Sequence, residues 1–389
     1  MSSNRPLLAA SLLWPALRSH AADGVQQYNY SYQLYQENDD RIRIESHYIR
    51  GSIDLSEASE FRFQWLSDAI SGASPTGALP GGLQPVYSEV DDLRTGILGA
   101  YAYKFGDHRV ELEISRSSEE DYLSRGVALS DTWEINEKNT ALSYGFNYLD
   151  DNVTVPLLGI RDKKSYDFFF GANQILDKNT TVSASLTLGY SDGYLNDPYK
   201  SVQRTDIVSI PDGDGGFIEF PVVNLYRENR PDSRFRQVVQ LGGRHYFEAA
   251  RGALDAVYRF SHDDYGVTSN TLQLEWRQAV GSKLEITPFI RYYKQNAADF
   301  FMQTIDGLPI ETPMEDPDGS SPNYSSDYRL SAFSALSGGV KINYQFNDTF
   351  AATAAYERYA MNGSDGPDGS FDDAYISANM FTFGIKAEF

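Results

Sequence analysis

The feature that most constrains this chain is a two-residue alternation of apolar and polar side chains that recurs along nearly its whole length. Leu142, Tyr144, Phe146 and Tyr148 alternate with Ser143, Gly145 and Asn147. Val182, Ala184, Leu186, Leu188 and Tyr190 alternate with Ser183, Ser185, Thr187 and Gly189. Leu272, Leu274 and Trp276 interleave with Gln273, Glu275 and Arg277, and similar runs occupy residues 110–114, 284–292, 340–346 and 350–356. Successive side chains of an extended strand point to opposite faces, so each run has one apolar and one polar face. Beyond residue 21 no stretch carries the stripe and caps of an amphipathic helix. The pattern predicts an all-β chain.

Alternation does not say which way the apolar face turns. In a soluble sandwich it turns to a core; in a membrane barrel it turns to lipid. Three features favour the barrel. Many runs reach roughly 10 to 14 residues, whereas soluble strands average about five or six and about 9–11 tilted residues cross a bilayer. The connections sort by parity: tight polar turns at 56–59, 105–108, 137–139, 177–179, 249–252, 281–283 and 347–349 alternate with long segments near 68–91, 194–233 and 299–326 and shorter ones near 151–164 and 361–371. Long structureless loops suit the rim of a barrel better than a compact soluble domain. Finally, Tyr148, Tyr190, Trp276, Tyr292 and Tyr356 stand near run ends, where interfacial girdles form. Counting runs predicts one antiparallel up-and-down barrel over 22–389, with sixteen strands, seven turns and eight loops. The first strand and the pair around Asp121–Asp131 alternate least clearly, and fourteen strands is the alternative count.

The compartment is read from the other end. Arg5, the apolar run 7–17 and the small residues Ser19 and Ala21 resemble the three zones of a secretory signal peptide over 1–21. That run is too short for a spanning helix, which needs about 20 residues. The 389 residues hold 54 acidic and 33 basic side chains and no cysteine. A formal charge of −21 argues against a nucleic-acid binder, which would need a basic face to neutralise phosphates. The missing cysteines exclude disulfides, thiolate metal sites and covalently attached c-type haem. With 27 Tyr and 22 Phe the chain is aromatic-rich, yet its mean hydropathy is −0.44, the balance expected of half-exposed strands.

The last strand is the most telling. Phe381, Phe383, Ile385 and Phe389 share one face, with Ala387, while Thr382, Gly384, Lys386 and Glu388 share the other. This register resembles the signal by which the barrel-assembly machinery recognises bacterial outer-membrane proteins. Tyr35-Gln36-Glu37, the run 41–46, the segment 68–75 with its Ser71-Gly72-Ala73-Ser74-Pro75 motif, and the run 120–124 resemble an uncharacterised proteobacterial outer-membrane family, catalogued as a domain of unknown function. The resemblance implies an outer-membrane protein with both termini periplasmic, in contact with lipid and lipopolysaccharide. It also implies an envelope redox or lipoprotein partner, and it brings no established activity.

Candidate functional residues follow from the pattern. The charged members of the polar faces (Arg62, Glu111, Glu113, Asp255, Arg259, Glu275, Arg277, Glu285, Arg291, Lys341, Glu357 and Lys386) are expected to line the lumen. A charge on the lipid face costs roughly 2–4 kcal/mol at the midplane. Asp68, Ser71, Gly72, Ser74 and Pro75 are expected where the third strand enters a long loop, either as a rigid turn or as a constriction folded into the lumen. Three acidic tracts, Asp212 with Asp214, Asp316 with Asp318, and 365–373, carry calcium-compatible oxygens but lack EF-hand order, so solvated turns are the better reading and no metal or cofactor is assigned. Of His47, His108, His245 and His262, none stands in a hydrolase motif; His245, mid-strand beside Arg244, could line the lumen, yet a lone His is more often structural. No catalytic residues are assigned. The sequence therefore points to a porin-like channel for small polar or peptide-like solutes, modestly cation-preferring. A non-conducting scaffold or receptor for an envelope redox or export system is the rival reading, and an outer-membrane hydrolase the least favoured.

Overall fold

The computed structural model describes residues 25–39, 41–77, 87–310 and 313–389; the expected signal peptide lies outside them. The chain opens with nine strands: β1 (Gln26–Glu37), β2 (Arg43–Ser56), β3 (Ser59–Pro75), β4 (Tyr87–Phe105), β5 (His108–Ser118), β6 (Tyr122–Ile135), β7 (Thr140–Val155), β8 (Gly159–Asp177) and β9 (Thr180–Gly193). A separate hairpin follows, β10 (Ser201–Pro211) with β11 (Phe217–Arg227). Seven more strands complete the chain: β12 (Ser233–Phe247), β13 (Gly252–Asp263), β14 (Thr268–Val280), β15 (Leu284–Gln295), β16 (Phe333–Gln345), β17 (Phe350–Gly363) and β18 (Ser377–Glu388). All but the hairpin pair antiparallel with their neighbours in one closed barrel of sixteen strands, in which β9 meets β12 and β1 meets β18. The seam is fixed by the pairing of Gln27 with Glu388 and by reciprocal bonds between the backbones of Gln26 and Phe389, both 2.9 Å. The start of β1 and Phe389 therefore lie on the rim that carries the tight turns.

All sixteen expected barrel strands are present, including β1 and β6. Their boundaries differ where polar residues extend a strand past its alternating run. β3 continues to Pro75 and β4 begins at Tyr87, so the expected 68–91 loop shrinks to 76–86. β7 and β8 are separated only by 156–158. The segment 68–75 is strand and not loop: Asp68 pairs with Arg94, Ser71 with Asp91 and Gly72 with Val90. The 194–233 segment is not structureless either, because it contains the hairpin.

The two faces differ as a membrane barrel requires. On β5, Leu112 and Ile114 are 45% and 62% exposed, while Glu113 between them is 3% exposed. The same inversion recurs around the ring: Ile97, Leu129, Phe168, Leu241, Ile290, Phe381 and Phe383 stand exposed on the outer face. In water such a belt forfeits the hydrophobic gain of every one of these side chains, and lipid restores it. Phe381, Phe383, Ile385 and Phe389 all lie in this belt. Tyr190, Tyr292 and Tyr356 do too.

Candidate functional site

Strand parity places all twelve expected lumen charges on the face opposite the apolar belt, and at least half of them bond to a side chain on another strand. Arg62 donates to Glu111, and Arg109 joins Glu60 at 2.7 Å to Glu111 at 3.1 Å. Asp255 lies between Arg244 and Arg277, the latter at 2.7 Å. Glu275 accepts from Gln273 at 2.6 Å, Glu285 from Asn343 at 3.1 Å, and Lys386 donates to Glu388 at 2.7 Å. Arg259 donates to Gln240 Oε1 at 2.8 Å. Glu113 is buried in the wall beside Ala100. Among the described residues, Arg291, Lys341 and Glu357 form no ion pair. His245 does not line the lumen: it turns to the outer face, edge-on to Phe247 and 2.9 Å from Thr180 Oγ1. It follows β12 parity, on which odd-numbered Leu241 is outward and Arg244 inward.

The loops of the other rim fold together. Three buried apolar clusters tie them: Tyr328, Phe333, Met361 and Ile376; Tyr265, Phe300 and Leu330; and Val202, Ile305 and Tyr324. At their junction lies a buried ionic network built from three loop segments. Asp327, fully buried, caps the short 3-10 turn Tyr328–Leu330 by accepting from the Arg329 backbone N–H at 3.0 Å. It also accepts from Arg230 at 2.7 Å and Arg329 Nε at 2.8 Å. Arg329 reaches on to Asp197, and Arg230 to Glu228 at 2.8 Å. Glu228 in turn accepts from the Asp197 N–H and from Ser325 Oγ.

Titration in this network is set by burial against charge. Burial alone would raise Asp197, but Arg329 and Lys200 outweigh it and hold the carboxyl at about 2. Burial likewise opposes ionisation of Asp327, and Arg329 and Arg230 overcome it, holding it well below the usual range. Glu228 goes up, because burial exceeds what Arg230 returns. Burial also pushes Lys200 down.

Lys200 joins this dome to the wall. Its ammonium donates to the Pro75 carbonyl and to Ser74 Oγ at 3.4 Å, under the Tyr328 ring. Ser74 and Pro75 thus act as the strand end on which the loops are seated, and Gly72 explains why the first loop comes close. Its φ is +117°, and a Cβ there would stand 2.2 Å from the Arg41 carbonyl oxygen. Arg41 itself pairs with Glu37 at 3.1 Å and donates to the Asp373 carbonyl. Asp68 remains on the inner face, 3.9 Å from Arg94. Ser71 stands in the ladder between Arg43 and Asp91.

The acidic tracts are not brought together. Asp212 caps its own turn at the hairpin tip, Asp316 pairs with Arg161 at 2.5 Å, and Asp318 caps Ser320. A different set converges at the rim: oxygens of Asp92, Glu119 and Asp121 lie within 4.8 Å of one another. Burial raises Glu119 to about 7 against the opposing pull of Arg94.

A family signature described as a protein of unknown function, DUF3570, matches residues 4–84, 81–161 and 157–378. The chain belongs to the DUF3570 family. No curated protein matches this DUF3570 chain. Among solved structures it is similar to CdiB from Acinetobacter baumannii, at 8% identity and a TM-score of 0.51, covering 96% of this chain and 61% of that one. It is also similar to the siderophore receptor PirA from Pseudomonas aeruginosa (11%, TM-score 0.45, 94% and 62%) and to a mutant of the Rh. blastica porin (10%, 0.39, 94% and 99%). The DUF3570 chain thus spans under two thirds of the receptor it matches. At such identities the likeness to CdiB carries the fold alone, an outer-membrane-type β-barrel. In this family member the dome residues Asp197, Lys200, Glu228, Arg230, Asp327 and Arg329 are what sequence reasoning missed. Their only local signal is Asp327 two residues before Arg329, the spacing of a capped turn.

Proposed function

We propose that this barrel is an outer-membrane pore or translocation channel for small polar or peptide-like solutes. In this reading the termini and tight turns are periplasmic and the folded loops extracellular. What carries it is the inversion of faces, apolar outside and ion-paired inside, because a sixteen-stranded ring of this kind encloses more space than side chains alone fill. Exposed carboxylates at Asp214 and Asp365 and the half-buried Asp92–Glu119–Asp121 group stand at the loop rim, so the mouth concentrates cations and modest cation preference is expected. The effect is limited to charges near the opening, since the Debye length at physiological salt is about 8 Å. Insertion of folded protein into planar bilayers tests the reading. Discrete conductance steps, with a KCl-gradient reversal potential of cation sign that shrinks at high salt, are the expected result. Repeated insertion without conductance overturns it.

One observation favours the rival reading of a scaffold or receptor. The β10–β11 hairpin carries Ile207, Ile210, Phe217, Ile218, Phe220 and Val223 exposed, beyond the loops that seat its base. Such a surface is more apolar than a solvated loop needs. Absence of conductance together with capture of an envelope protein by the hairpin would replace the channel with that function.

A further inference from the structure

The inner wall from β12 to β15 holds six arginines, and they divide into two sets. Arg234 is paired with Asp263, and Arg244 and Arg277 share Asp255. Arg236, Arg259 and Arg291 have no carboxylate within ion-pair distance among the described residues. Parity turns all three to the lumen, since Phe235, Val239, Tyr258, Phe260, Ile290 and Tyr292 occupy the outer face of the same strands. Their positions converge. Arg236 pairs in register with Asp263, four residues along β13 from Arg259; Arg259 pairs with Thr271, two residues along β14 from Gln273; Gln273 pairs with Arg291. The Arg259 charge lies within repulsive range of both Arg291 and Arg236. The intervening inward side chains, Gln240, Thr271 and Gln273, are neutral hydrogen-bonding groups.

None of the nearby acids is ion-paired with this group: Glu275, the next inward position along β14 from Gln273, accepts from Gln273 at 2.6 Å. Asp263 is taken by Arg234 and by the backbone N–H groups of Tyr265 and Val267. Asp167, which accepts from Asn147, faces Arg236 across Gly189 at the patch's edge and outside pairing distance. Three cations held side by side cost one another energy, and elsewhere on this wall the fold places carboxylates between them. A guanidinium offers a planar fork of donors that fits a carboxylate or phosphate in two-point contact.

We propose that Arg236, Arg259 and Arg291 form a binding patch on the inner wall for a small solute bearing an oxyanion, carboxylate or phosphate. The inference deepens the channel reading, from which it takes only that the lumen is wet. Cation preference at the mouth and an oxyanion patch on the wall are compatible. The first sets bulk ion flow, and the second retains a solute that has already entered.

The test uses the folded full-length barrel in detergent, titrated calorimetrically with succinate and, separately, with inorganic phosphate. Saturable binding that weakens as NaCl rises is expected for at least one of them, and their relative affinities distinguish a carboxylate from a phosphate ligand. Arg259→Gln with Arg291→Gln is expected to lower affinity on the order of tenfold or more, as the loss of two charge-assisted contacts implies. Arg259→Lys with Arg291→Lys keeps the charges and retains part of the binding, which separates this effect from misfolding. Arg251→Gln, in an exposed turn, leaves binding unchanged. No binding of either solute to the wild type, or equal binding by the Gln pair, overturns the patch. In bilayers the bound solute is expected to reduce current through the wild type but not through the Gln pair. Binding without any conductance removes the channel and keeps the patch; conductance that neither solute nor substitution alters removes the patch and keeps the channel.

Discussion

Replacing Asp327 with Ala removes the one carboxylate that both Arg230 and Arg329 share. The barrel ladders do not pass through residue 327, so the ring itself is expected to form and to keep its heat-modifiable migration. The loss falls on the dome. Breaking a buried pair by deleting one partner costs about 3–5 kcal/mol when the other charge is left uncompensated. Here Arg230 keeps Glu228 and Arg329 keeps Asp197, so the lower end applies, about 3 kcal/mol. The turn also loses the Asp327 cap on the Arg329 N–H. At 1.4 kcal/mol per decade this shifts the closed-to-open ratio of the loops on the order of 100-fold. Where opening is fast relative to cleavage, the rate of loop proteolysis follows that ratio. Limited trypsin digestion of the folded barrel, read by mass spectrometry for cuts after Lys200 and Arg329, measures it directly. Asp316→Ala is the internal contrast. Its pair with Arg161 is half exposed, worth under about 1 kcal/mol, and the expected acceleration is only a few-fold. Equal cleavage rates for the two variants, or a wild-type rate for Asp327→Ala in a folded barrel, would refute the idea that this network holds the loops down.

Other outcomes follow from the same contacts. Gly72→Ala places a Cβ against the Arg41 carbonyl at a positive φ, and about 2 kcal/mol or more of destabilisation is expected, seen as earlier thermal unfolding or faster cleavage of the first loop. Phe389→Ser keeps the backbone seam to Gln26 but removes the ring that packs on Tyr28 and Phe350, whereas deleting residue 389 removes both. If the ring is the assembly signal, both variants yield little folded barrel in cells; if only the seam matters, Phe389→Ser assembles normally. Asp197 has its folded-state pKa depressed to about 2, so its contribution is present above the ordinary 3.8 and is lost as pH falls through 2. Pepsin resistance of the loops is therefore expected to hold at pH 4 and to fail toward pH 2. Glu119 has its value raised to about 7, so it favours the folded rim below about 4.5 and loses that contribution as pH rises through 7. Its charge appears over the same interval, and cation preference is expected to grow between pH 6 and 8 in the wild type and to stay flat in Glu119→Gln.

Which parts of this molecule were legible in the sequence follows from how far apart the interacting residues lie. A strand's face assignment needs only its own parity, and every barrel strand could be read that way, as could the side of its strand on which each of the twelve charges stands. The β10–β11 hairpin could not, because Ile207 and Val208, and Phe217 and Ile218, are adjacent apolar pairs that break alternation, and Pro211 and Pro221 argue against a strand. The structure shows why proline is tolerated there. The bond from Asp212 N–H to the Gly216 carbonyl makes Ile210 and Ile218 a hydrogen-bonded pair, so by alternation Ile207 and Pro221 are not. Pro221 therefore turns its missing donor to a free edge and blunts that edge against strand addition. The dome was illegible for another reason. Asp197 and Arg329 are 132 residues apart, joined only once the ring has brought their loops to one rim. The arginine patch sits between these cases. Parity places Arg259 and Arg291 inside, but only the register across β12 to β15 reveals that Asp255 and Asp263 are already taken. A charge's direction was thus readable from its neighbours in sequence, whereas its need for a partner depends on three strands at once, and the unpaired arginines emerge only at that level.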